Sequence, residues 1–421
     1  MGMRIKSLSA ALGIAAYAGL TAGAADVRAA DWTQFLGPQR NGVADKREPA
    51  LPDTFPGDLK PLWQKSAGSG FAGPLVVGGK VILFHREGSD MTTEALDAKT
   101  GKPIWRTTYI TEYIDSFGFD NGPRATPAVA GNRVFVHGPE GRVTAMDLQT
   151  GKELWNFDTA SAVNSQQGFF GRAPSPLVVG NRVIVGAGGT KDGQPAGLIA
   201  LDVETGKLAW NSVEDEAGYA SPVLTPDGYV LAWMRNKLWL VNSESGTALA
   251  SIPLRASMEA SVNAATPISC GAGRWFVTAG YGVGANLFAI AASGKPGLEQ
   301  VWVRQDLMDC HYSTPVFVDG HLYGFHGRQE TGQTLRCVDV EGGKTGWESP
   351  KVPGGTLVLV GDKLLVVTEQ GELWIVRATP EKFDQLAVFQ VLRAGHRSHA
   401  AYADGVLYAR DSENLVALKL R

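Results

Sequence analysis

Short apolar runs, each bounded by turn residues, recur from about residue 60 to the end of the chain. They include 81–84, 134–136, 183–185, 230–233, 275–278 and 322–325. Runs of this length between turn signals predict buried β-strands. A small-residue loop and a shorter apolar run precede each one. The loops read Ala72-Gly73-Pro74, Ala125-Thr126-Pro127, Pro174-Ser175-Pro176, Ala220-Ser221-Pro222, Ala265-Thr266-Pro267 and Ser313-Thr314-Pro315. Tight turns such as Gly78-Gly79, Gly131-Asn132, Gly180-Asn181, Asp227-Gly228 and Asp319-Gly320 join the two runs. A later hairpin carries the strongest signal, Ala145-Met146-Asp147-Leu148-Gln149-Thr150-Gly151-Lys152-Glu153-Leu154-Trp155. Its spacing returns at 95–105 and 200–210, and more loosely at 337–347. The Asp can bond the turn's own N–H groups. The Gly supplies a positive φ, and the second strand carries the Trp into a packed layer.

A pattern that returns every 40–50 residues or so has the period of propeller blades. Two further units are degenerate. Residues 356–389 end in Phe389 where Trp is expected, and the last unit, from His399 to 415–420, has only three strands. Upstream, Leu62-Trp63-Gln64-Lys65 is a Trp strand without a hairpin partner. Pairing it with 415–420 closes the ring and removes a sheet edge. The expected fold is therefore all-β: a β-propeller of eight four-stranded antiparallel blades closed by an N-terminal strand. Seven blades is the alternative if 263–305 is misread, since its third hairpin is interrupted by Gly294-Lys295-Pro296-Gly297.

The Asp-x-x-Thr-Gly-Lys-x-x-Trp signature resembles the PQQ-like repeat of β-propellers, found in quinoprotein dehydrogenases and in the propeller lipoprotein of outer-membrane β-barrel assembly. No repeat ends in Trp-Asp, so the WD type does not match. The resemblance covers 60–421. Asp31-Trp32-Thr33-Gln34-Phe35-Leu36-Gly37-Pro38 resembles the opening of a subgroup of exported PQQ-like propellers, and Trp32 and Phe35 are expected to pack on the ring.

Composition refines this picture. The 421 residues include 52 Gly and only 19% charged residues, which suits many short strands and tight turns. Arg4 and Lys6 precede an apolar stretch, 8–20, too short to span a bilayer. The expected division is a signal peptide at 1–29, an irregular segment at 30–59 and the propeller at 60–421. The expectation is an exported, soluble, periplasmic protein without a transmembrane segment. No Cys lies near the cleavage region, which argues against lipid attachment. The formal charge of −3 becomes −3 − 2 = −5 without Arg4 and Lys6, a poor match to nucleic acid. Cys270, Cys310 and Cys337 are expected to be buried thiols.

In a four-stranded blade, the blade-to-blade and second-to-third strand loops share one face. Here those loops are long, and long loops carry binding residues disproportionately. The candidate ligand-binding residues are His85, Arg86, Asp120, Arg124, Arg172, Asn263, His311, Tyr312, His326, Arg328, Glu330 and Arg397. His396 and His399 also precede strands, and Phe169, Phe170 and Tyr219 could stack on a flat ring or a sugar face. Several Arg on one face favour an anionic ligand. No hydrolase, metalloprotease or covalent-haem motif is present, and no metal site or catalytic residue is assigned. The family resemblance implies PQQ with Ca²⁺ as the conceivable cofactor. Quinoprotein alcohol dehydrogenases, however, typically carry two adjacent bridged Cys beside it, and this chain has no Cys-Cys pair. The expected function is an exported propeller that binds a small molecule or an envelope protein partner on its loop face. The alternative is a PQQ-dependent oxidoreductase acting on an alcohol or sugar.

Overall fold

The computed structural model describes residues 31–421 apart from 257, 259–261, 292–294 and 396. The expected signal peptide and His396 lie outside the described residues, as does Gly294 of the interrupted hairpin. Eight four-stranded antiparallel sheets form a ring, a β-propeller. Blade 1 runs from strand Leu75–Val77 to strand Pro103–Ile110, and blade 2 from Ala128–Ala130 to Glu153–Asp158. Blades 3 and 4 run from Leu177–Val179 to Leu208–Ser212 and from Val223–Leu224 to Ala248–Pro253. Blades 5, 6 and 7 begin at Ile268–Ser269, Val316–Val318 and Gly355–Val360 and end at Leu298–Arg304, Lys344–Glu348 and Asp384–Gln390. The doubtful unit is a full blade: Ala289 pairs with Glu299 across its third hairpin.

Blade 8 is made from both ends of the ring. Its three C-terminal strands, Ala401–Ala403, Val406–Arg410 and Asn414–Lys419, are completed by Pro61–Ser66. Trp63 stands opposite Ala417 and Lys65 opposite Leu415. The expected closure is thus realised.

The repeated hairpin does more than turn the chain. Asp97 Oδ1 accepts from the N–H groups of Lys99 and Thr100 and from the Thr100 hydroxyl; Asp147 and Asp202 do the same in blades 2 and 3. Each Trp then reaches into the next blade. The indole N–H donates to a backbone carbonyl there: Trp63 to Ala98 (2.9 Å), Trp105 to Leu148 (3.0 Å), Trp155 to Val203 (2.9 Å), Trp210 to Ser243 (3.2 Å), Trp302 to Val340 (3.1 Å) and Trp347 to Thr379 (2.6 Å). The rings of Trp63, Trp105, Trp155 and Trp210 lie on the turn glycine of that blade. A Cβ at Gly206 would sit 2.6 Å from the Trp155 ring, and one at Gly246 would sit 2.7 Å from that of Trp210. The glycine of one blade is therefore small for the sake of the Trp in the blade before it, besides adopting φ +68° at Gly206.

A second ring of bonds runs around the axis. The N–H of Gly73 donates to Thr126 Oγ1 (2.9 Å), Thr126 to Ser175 Oγ (2.9 Å), Ser175 to Ser221 Oγ (2.9 Å), Ser221 to Thr266 Oγ1 (3.1 Å) and Thr266 to Thr314 Oγ1 (3.0 Å). The hydroxyls of the small-residue loops satisfy backbone donors that burial would otherwise leave unpaired.

Residues 31–44 fill the axial channel. Asp31 accepts from Gly78 N–H, Trp32 bridges Val76, and the Thr33 carbonyl accepts from Val129 N–H. Leu36 is buried in an apolar cluster built from blades 5 and 6. Arg40 donates to the carbonyls of Pro176 (3.0 Å) and Ser175 (3.2 Å) of blade 3, and Ala44 N–H donates to Leu359 of blade 7. The segment behaves as a plug. Trp32 is buried as expected, and Phe35 reaches the loop face.

Candidate functional site

A funnel of about 230 Å³ opens on the loop face around the axis. One repeat position builds much of its wall. The residue immediately before the small-residue loop is Phe71, Arg124, Ala173, Tyr219, Ala264 and Tyr312 in blades 1 to 6, and all of these line the funnel. Phe119, Phe170 and Tyr281 add rings from longer loops. Phe35 of the plug, edge-on to His399 with ring centroids 4.9 Å apart, and Ser175 and Ser221 of the hydroxyl ring lie at its base.

The two arginines sit among the rings. The Arg124 guanidinium carbon is 5.5 Å from the centroids of both Phe71 and Phe170. That of Arg397 is 5.7 Å from Phe71, Phe119 and Tyr312. Phe71 is thus shared between two cations, within the range of favourable cation–π contact. Asp115 pairs with Arg124 at 2.9 Å, and Glu369 pairs with Arg397 Nε at 3.1 Å. The Tyr312 hydroxyl donates to the same Glu369 carboxylate at 2.6 Å. Burial, and then this carboxylate, push the Tyr312 hydroxyl well above its ordinary pKa. Tyr219 accepts the N–H groups of Phe169 and Phe170 and so fixes the aromatic loop. On the far side His311 Nε2 bonds the Tyr281 hydroxyl at 2.9 Å, and Arg328 lies 4.5 Å from the Tyr281 ring while pairing with Glu330.

The structure brings together Arg124, His311, Tyr312, Glu330 and Arg397 in the funnel lining, with Arg328 behind Tyr281. The other candidates stand outside that lining, tied to backbone. His85 is fully buried in the closing seam. Its Nδ1 accepts from Gly68 N–H, and its Nε2 lies 3.4 Å from Glu94, which pairs with Lys65 of the closing strand. Arg86 donates to the carbonyls of Gly88, Tyr113 and Asn121. Asp120 accepts from the N–H groups of Gly70 and Gly122. Arg172 is buried against Ser165 and the Glu140 carbonyl, and Asn263 donates to the carbonyls of Met234 and Arg235. His326 accepts from Asp309 N–H, and burial lowers its pKa. Sequence reasoning missed Phe71, Phe119, Tyr281 and the role of Phe35. Phe71 was open to discovery, because it occupies the same repeat position as Tyr219 and Tyr312.

An eight-bladed ring with Trp-on-Gly seams and an axial funnel on the loop face defines the class, a PQQ-repeat propeller. The chain belongs to the family of the outer membrane protein assembly factor BamB, whose family model matches residues 89–347. It is 27% identical over 262 residues to BamB of Moranella endobia, covering 58% of this chain and 62% of that protein. It is 33% identical over 143 residues to the quinohemoprotein alcohol dehydrogenase of Comamonas testosteroni, covering 33% of this chain and 19% of that enzyme. The chain therefore spans less than two thirds of the length of these relatives. Among solved structures, BamB of Moraxella catarrhalis superposes with a TM-score of 0.61 at 15% identity, covering 85% of this chain and 98% of that one. The Comamonas testosteroni dehydrogenase superposes with a TM-score of 0.67 at 15% identity, covering 93% and 80%. These two likenesses establish the fold.

The residues present do not fit PQQ held with Ca²⁺. Among the described residues no group of three His, Cys, Asp or Glu is placed to hold a metal ion. Cys270, Cys310 and Cys337 are free and buried, and burial pushes the Cys270 thiol up to about 12. No helix among the described residues is long and apolar enough to cross a membrane.

Proposed function

We propose that this chain is an exported binding propeller whose funnel takes a small ligand with a flat ring or a sugar face. The observation that carries the reading is the repeat-position wall, Phe71, Tyr219 and Tyr312 with Phe119, Phe170 and Tyr281, arranged around one axis above a plug. Convergent aromatic rings with a few fixed polar groups are what small-ligand sites are made of. The volume lies below the roughly 300–1,000 Å³ of drug-sized sites, which favours a single-ring ligand. The test is calorimetric titration of the full chain with a panel of single-ring acids, amides and monosaccharides, repeated on Phe71→Ala. Saturable binding that weakens at least about tenfold in the variant supports the proposal. Absence of saturable binding across the panel overturns it.

An envelope protein partner is the second reading. Ile110, which ends the outer strand of blade 1, and Ile114, Phe117 and Phe119 on the loop that follows are exposed, and Phe119 lines the funnel. Exposed apolar residues close together in sequence suit a protein contact, and a BamB relative bears the name of an assembly factor. The oxidoreductase alternative lacks a fitting donor set. Protein supplied with PQQ and Ca²⁺ is expected to give no dye reduction with alcohols or sugars, and turnover would revive it.

A further inference from the structure

The two funnel arginines are not equivalent, and the difference names the ligand. Arg124 has its Nη2 on Asp115 (2.9 Å) and its Nη1 on the Asp120 carbonyl (3.3 Å). Its terminal nitrogens are committed. Arg397 is held through Nε, which lies 3.1 Å from Glu369. Among the described residues neither of its Nη atoms donates to a protein acceptor. Glu369 is itself fixed by the Tyr312 hydroxyl at 2.6 Å, and three rings at 5.7 Å hold the guanidinium in place. A guanidinium anchored at one edge presents the other edge as a pre-oriented pair of donors. That pair matches the two oxygens of a carboxylate. The neighbouring rings Phe71, Phe119 and Tyr312 then offer stacking faces beside it.

Resting on the funnel reading above, we infer that the ligand is a single-ring carboxylic acid. Its carboxylate is taken bidentately by Arg397, and its ring lies against the aromatic wall. Glu369 and Tyr312 act as positioning residues for Arg397. Glu330, which also lines the funnel, is paired with Arg328 at 3.0 Å.

Benzoate and its neutral isostere benzamide are the probes, titrated calorimetrically into the full chain at low salt. Benzoate should bind at least about tenfold more tightly, the range of a charge-assisted pair over a neutral contact. Arg397→Gln should abolish that preference. Arg397→Lys, which keeps the charge but not the fork, should restore only part of it. Arg124→Gln should weaken both probes alike, since it touches the rings rather than the carboxylate. Glu369→Gln should reduce the preference without changing benzamide affinity. Near-ultraviolet circular dichroism reports whether each variant keeps its packing. If benzamide binds as well as benzoate and Arg397→Gln changes neither, the inference is overturned while the funnel reading stands. If neither probe nor any other ring compound binds, the funnel reading itself falls. Equal binding of inorganic phosphate and benzoate would also overturn the inference, because the ring would then contribute nothing.

Discussion

The two faces of the propeller are built by opposite rules. On the tight-hairpin face the same device recurs from blade to blade: an Asp-capped turn, a left-handed glycine and the indole of the preceding blade laid upon it. On the loop face the residue before the small-residue loop keeps its register, but its identity changes from Phe71 to Arg124, Ala173, Tyr219, Ala264 and Tyr312. Constancy on one side holds the ring. Variation on the other shapes a cavity without disturbing the strands beneath.

Individual carboxylates on the two faces also differ in acidity. The Thr100 and Thr205 hydroxyls and the turn N–H groups hold Asp97 and Asp202 below the ordinary carboxylate range. On the loop face, burial pushes the Asp309 carboxyl up to about 6.

The largest test of the contrast removes the closing strand. A chain lacking residues 1–66 loses both Pro61–Ser66 and the plug, and its cooperative thermal transition should disappear; an intact ring of unchanged melting temperature would refute the division of labour. Trp155→Ala, deep in a seam, should cost about 3–5 kcal/mol in denaturant unfolding. Trp63 is only half-buried, so Trp63→Ala should cost less, about 2 kcal/mol. Gly206→Ala adds a Cβ against Trp155 in a left-handed backbone and should cost about 2 kcal/mol. Titration gives a smaller effect. Between about pH 4 and 6 the native state holds the Asp309 proton that the unfolded chain releases, so stability should fall as pH rises through that window. After solvent screening the change is about 1 kcal/mol, and Asp309→Asn should flatten it. Asp97 and Asp202 act with the opposite sign, losing their contribution as pH falls below the ordinary carboxylate range. The smallest stability change belongs to the funnel: Tyr281→Ala should stay within about 1 kcal/mol in unfolding while weakening ring ligands.

What was legible follows from this division. Repeats expose themselves to period counting, so blades, turns and the closing Trp63 strand are legible in the sequence alone. The plug could not. Residues 31–44 have no periodicity, and Leu36, Arg40 and Ala44 find partners in blades 5 to 6, 3 and 7, separations that no local pattern encodes. His85 and Arg86 at a strand end and Arg172 on a blade-entry loop are candidates by position, but position along the chain does not say where a side chain points. Each is engaged chiefly by backbone groups nearby, and His85 also by Glu94. The hydroxyl ring was hidden for another reason. Thr126, Ser175 and Ser221 look like small spacers until neighbouring blades bring a donor to each.

The seam that joins the two ends of the ring also imposes an order in time. Gln64 bonds Asn414 across a sequence separation of 350. During synthesis the strand at 61–66 emerges early and must wait, unpaired, until almost the entire chain has followed. Contacts of such separation are the slowest to form, and the waiting intermediate exposes an unpaired strand edge and the blade 1 face that blade 8 will cover. The rate at which functional molecules appear is therefore governed by the last few strands made, and a ribosome that stalls in blade 8 leaves a nearly complete chain that behaves as an aggregation-prone one.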